Sequence, residues 1–109
     1  MYEPGEIAKN IYDIGKRLEK GSGETFSLAK KMAETERDYR KALAVEMAKL
    51  KTEGMSVTLI PDLARGNTSE LKFERDLAEA RYKSARDMLN ALQAEMNGLQ
   101  SIFKRFEEV

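Results

Sequence analysis

Glu70, Glu74 and Glu79 are helix-borne carboxylates, the kind of side chain with which a di-iron bundle holds its metals. Such a centre also needs Glu-x-x-His pairs, and the chain contains no His, no Cys and no Trp. These absences exclude a Ser-His-Asp or Cys-His nucleophile, an imidazole or thiolate zinc site, a disulfide framework and a redox thiol. An oxygen-only magnesium site needs carboxylates clustered on an apolar face, and the pattern places none there. Lys20-Gly21-Ser22-Gly23-Glu24 has no preceding strand and lacks the Gly-Lys-Ser/Thr ending of a phosphate loop. The expectation is a protein that is not an enzyme, with no catalytic residue, no metal and no cofactor.

The remaining chemistry is electrostatic. Between residues 22 and 54, seven basic residues stand against six acidic ones, and Lys30, Lys31, Arg37 and Lys41 form the candidate nucleic-acid contact. Phosphate affinity follows local charge, so a balanced total does not forbid it. Over all 109 residues, however, 19 Lys+Arg balance 19 Asp+Glu. The two signs are interleaved, as on a solvated helix surface. Nucleic acid is therefore the less favoured partner. No apolar run approaches the roughly 20 residues of a membrane span. The N-terminal stretch lacks the basic and apolar regions of a secretory signal, so the expected location is the cytoplasm.

Helices must position these residues. Ile7, Ile11, Ile14 and Leu18 step by four, three and four, which predicts an amphipathic helix over about 3–20 with Pro4 in its first turn. Gly21-Ser22-Gly23 reads as a stop and a flexible joint, with Ser22 or Thr25 as the next N-cap. A second helix over about 25–53 carries Leu28, Met32, Tyr39, Leu43, Met47 and Leu50, ending at Gly54. The connector 54–67 is long and apolar, and Pro61 to Gly66 predicts one short helical turn within it. The longest helix, about 69–107, repeats apolar residues at Ala78, Tyr82, Ala85, Leu89, Leu92, Met96, Leu99, Phe103 and Phe106.

The fold class expected is all-α: an elongated antiparallel helical hairpin, coiled-coil-like, with an additional N-terminal helix and a helical turn in the connector, forming a single domain over 1–109. Aligning Leu50 with Leu71 or Lys72 makes paired positions sum to about 122. That register brings Tyr39 to Tyr82, Glu46 to Arg75 and Glu36 to Arg86. It leaves Leu99, Ile102, Phe103 and Phe106 beyond the hairpin. Either the first helix runs on in line to cover them, or it folds back and leaves them as an oligomer interface. Self-association is expected, because an uncovered Phe-rich end marks an interaction site. Met55, Val57, Leu59, Ile60, Pro61, Leu63 and Arg65 in the connector form the candidate partner surface.

Three stretches carry a resemblance: Glu36-Arg37-Asp38-Tyr39-Arg40-Lys41-Ala42-Leu43-Ala44, Asp62-Leu63-Ala64-Arg65-Gly66, and Lys72-Phe73-Glu74-Arg75-Asp76-Leu77-Ala78-Glu79-Ala80. From about residue 7 to its C-terminus the chain resembles small helical proteins of Gram-positive prophages and mobile elements. Genes of that family tend to lie near phage replication or recombination genes. The resemblance implies a phage or prophage accessory protein and transfers no catalytic residue. The leading expectation is an accessory acting by helix-mediated protein–protein interaction and self-association. A nucleic-acid-binding accessory of phage replication or recombination, and an inhibitor of a host protein, are the alternatives.

Overall fold

The structure is a computed structural model describing residues 3–108; Met1, Tyr2 and Val109 lie outside the described residues. Three helices follow in order: α1 (Pro4–Thr52), α2 (Ile60–Asn67) and α3 (Ser69–Glu107). The all-α expectation holds, with α1 packed against α3 and the short α2 between them in the chain. The chain divides into two compact units, Met1–Ser27 with Lys83–Val109, and Leu28–Tyr82.

No separate N-terminal helix exists. The expected break at Gly21-Ser22-Gly23 is absent, and α1 is helical through it. Each glycine weakens a helix by only about 1 kcal/mol relative to alanine. The half-buried positions Leu18, Gly21, Thr25 and Leu28 keep the four-three step across the segment, so the packing face never loses phase. Ser22 and Thr25 do not act as N-caps. Their hydroxyls donate to the carbonyls of Leu18 and Gly21, at 2.9 and 2.7 Å, which a continuing helix allows.

The first unit is held by Ile7, Ile14, Leu92, Met96 and Leu99, with Ile11, Leu18, Ile102 and Phe103 packed against them. Ile7 is completely buried. Two small residues of α1 admit α3 closely. A Cβ on Gly21 would lie 2.7 Å from Leu89 Cδ2, and one on Gly15 would lie 3.6 Å from Met96 Cε.

The second unit turns the chain. α1 ends in a Schellman motif: Met55 N–H donates to Leu50 O and Gly54 N–H to Lys51 O, with Gly54 at φ +82°. Glycine is favoured there because a Cβ is strained in that region. Ser56 O then accepts from the N–H groups of Leu59 and Ile60, which leads into α2. α2 lies on the end of α1, with Ile60 and Ala64 forming a core with Leu50, flanked by Leu43 and Met47. Thr68 alone separates α2 from α3. Its N–H and hydroxyl both donate to Ala64 O, and its carbonyl accepts from Lys72 N–H. It therefore ties the two helices together instead of capping α3.

This arrangement corrects the register. Glu36 pairs with Arg75 and not Arg86, and Glu46 accepts from Asn67 Nδ2 at 2.8 Å rather than meeting Arg75. With Gly15 at Met96 and Gly21 at Leu89, paired positions sum to about 111 instead of 122. The slip of about eleven residues is three helical turns, so the same apolar stripe still faces inward. Its cause is α2, which packs back along α1 and takes up chain that a simple connector would have left at the turn.

Candidate functional site

The connector carries four exposed apolar residues of the second unit. Val57 is 77% exposed, Leu59 52%, Leu63 39% and Met55 36%. The Schellman turn ends α1, and residues 55–59 after it are all exposed. α2 then begins at Ile60, and its helical spacing separates an inner face, Ile60 and Ala64, from an outer one that includes Leu63. Ile60 thus leaves the candidate partner surface: it is buried against Leu50. Pro61 is half-buried and Arg65 exposed. Asp62 accepts a hydrogen bond from Arg65 Nη1 at 3.3 Å, so the apolar patch carries a neutral pair beside it.

The tail is placed differently from the candidate oligomer interface. Leu99 is buried, and Ile102 and Phe103 are half-buried against the same core as Ile7 and Ile14. They are covered by the first turns of α1 in their own chain, because the register slip brings those turns alongside. Only Phe106, 41% exposed, remains at the surface. The ground for reading this end as a self-association surface is thereby removed.

The four candidate phosphate-binding cations, Lys30, Lys31, Arg37 and Lys41, are all exposed on α1. Arg37 bonds Asp38 at 3.0 Å, while Lys30, Lys31 and Lys41 make no ion pair among the described residues. Nearby, Glu36 is turned toward α3. One of its oxygens accepts from Arg40 Nε and the other from Arg75 Nε, and Arg75 also lies 5.7 Å from the centre of the Tyr39 ring. The Arg40 hydrogen bond, with Arg75 adding to it against the opposing effect of burial, holds the Glu36 carboxyl below its ordinary range. Lys72 does the same for Asp76. Arg40 stands four residues from Glu36, and Asp76 four from Lys72, a spacing at which helix neighbours pair; Arg75 lies 39 residues from Glu36, and that partner depends on register.

Of the carboxylates considered for metal work, Glu70 and Glu74 are exposed and Glu79 is half-buried. Glu79 lines a groove with Met32, Glu36 and Arg75. No group of three or more His, Cys, Asp or Glu able to hold a metal ion occurs among the described residues. In the first unit, Gly21 and Ala85 leave a groove of about 290 Å³ floored by Leu89 and Leu92. At its mouth Lys20 lies 3.9 Å from Glu24. Sequence reasoning had no signal for this groove while Gly21 counted as a joint; its place in the four-three repeat is the signal. Among the described residues, no helix is long and apolar enough to cross a membrane. No protein-family model matches the chain, and no curated protein or solved structure is significantly similar to it.

Proposed function

We propose that this chain is a non-enzymatic accessory protein that works by helix-mediated protein–protein contact and self-association. The supporting observation is the apolar connector surface: Met55, Val57, Leu59 and Leu63 stay exposed although a core lies beside them. An exposed apolar cluster held by a defined turn is a contact site for a partner's apolar side chains. The setting implied by the resemblance, a phage or prophage of a Gram-positive bacterium, belongs to the same reading. The test is co-purification of the tagged chain from host cells beside the Val57→Asp/Leu59→Asp variant. The expected result is a protein retained by the native chain and lost with the variant, at unchanged helicity. An identical retained set for both chains contradicts the reading.

A second reading, nucleic-acid binding on α1, is favoured by the exposure of Lys30, Lys31, Arg37 and Lys41. A salt-titrated mobility shift tests it: phosphate contacts give affinity that falls steeply with salt. No binding to single- or double-stranded DNA at low salt contradicts it.

A further inference from the structure

The second unit carries two unlike exposed faces. On α1, Lys41, Ala44, Val45, Ala48 and Lys49 are all exposed, and each has neighbours in the set three or four residues away, which makes them a single helix face. Val45 is 68% exposed, and the flanking alanines leave a shallow apolar floor between two lysines. Neither lysine makes an ion pair among the described residues. On α3, Glu70, Phe73 and Glu74 form another such face. Phe73 is 59% exposed, and the two glutamates beside it likewise make no ion pair among the described residues.

We infer that these faces bind each other between copies, with Phe73 of one chain seated on the Ala44–Ala48 floor of a second. Glu70 and Glu74 then meet Lys41 and Lys49, giving charges without a partner in their own chain a partner in the next. The fit is one of sign, size and environment: a ring against small side chains, carboxylates against ammoniums, apolar centres with charged rims. The chain's zero net charge leaves no overall repulsion between copies. The inference rests on the reading of the chain as an interaction protein and names one of its partners, a second copy of itself.

Because the faces are unlike, a copy blocked on one still offers the other. Ala44→Glu/Ala48→Glu blocks the α1 face and Phe73→Glu the α3 face. All three positions are exposed and glutamate is a good helix former, so both variants keep the fold, checked by circular dichroism. In sedimentation at low salt, the native chain and the Val57→Asp/Leu59→Asp variant gain mass with concentration. Each blocked variant alone associates at least tenfold more weakly, and an equimolar mixture of the two recovers association. A native chain that stays monomeric, blocked variants that associate undiminished, or a mixture that does not recover overturns the inference. So does a monomeric chain that takes up an oligonucleotide on Lys41 and Lys49. If self-association fails while Val57 and Leu59 still retain a protein partner, this inference falls and the interaction reading stands.

Discussion

Arg75 of α3 donates its Nε hydrogen to Glu36 of α1, across the seam between the two helices. Both side chains are about 30% exposed, so the pair sits at the seam edge, where charge selects among registers that apolar packing alone leaves equivalent. A slip by whole turns keeps leucine facing leucine; it does not keep Glu36 facing Arg75.

Glu36, held by Arg40 and Arg75, makes stability depend on acid. The Glu36 carboxyl titrates below its ordinary value of 4.5, chiefly through the hydrogen bond from Arg40 and then through Arg75. A carboxylate depressed in the folded chain contributes stability that is fully present above its unfolded value. That contribution is lost as pH falls through the folded value. Melting temperature is therefore expected to hold from pH 7 to about 5 and to fall below the ordinary Glu36 value. Glu36→Gln is expected to make that acid decline shallower; an unchanged slope contradicts the assignment.

Packing of the C-terminal tail gives a second prediction. Ile7→Ala removes a completely buried side chain and is expected to destabilise by about 2–5 kcal/mol. Leu99→Ala, from the same core, is expected to fall in that range too. Phe106→Ala changes an exposed position and is expected to shift stability by less than about 1 kcal/mol. Urea unfolding of the three variants checks this. A Leu99→Ala effect as small as that of Phe106→Ala would mean that α1 does not cover the tail.

Helix ends with a strong local cause were legible in the sequence. Gly54 stops α1 through its left-handed conformation, and Pro61 marks the start of α2. The apolar stripe of α3 also faces inward from Ala78 to Phe103, because a four-three repeat needs no tertiary information, while Phe106 at its end stays exposed. What was not legible depends on long-range packing. Gly21-Ser22-Gly23 has the composition of a joint, yet stays helical because Leu18, Gly21, Thr25 and Leu28 remain in phase against α3. Eleven residues of slip preserve the apolar face, so periodicity cannot set the register. For the candidate site, Val57, Leu59 and Leu63 could be named from composition. The inward turn of Ile60 could not, because it follows from α2 packing back on α1; the covering of Leu99, Ile102 and Phe103 was one of two arrangements the sequence left open, and the unbroken α1 is the one that covers them.

Glycine substitutions separate these causes. A Cβ at Gly23 meets nothing within 4 Å, so Gly23→Ala is expected to stabilise by about 1 kcal/mol through helix propensity alone. Gly54 is equally uncrowded but sits at φ +82°, and Gly54→Ala is expected to destabilise by about 1 kcal/mol. Gly21→Val places a branched side chain where Leu89 approaches and is expected to destabilise by about 1–3 kcal/mol. Thermal melts order them Gly23→Ala above native, native above the other two. A drop for Gly23→Ala would mean that α1 is broken there.

The most direct test of the proposed self-association is the mass of the chain in solution. Light scattering on the unmodified chain, across a concentration series at low and high salt, reads it without a label or a partner. The mass is expected to rise from the 12.4 kDa of one chain as concentration increases, and to fall back when salt screens the lysine and glutamate faces. A mass that stays at one chain throughout contradicts the proposal.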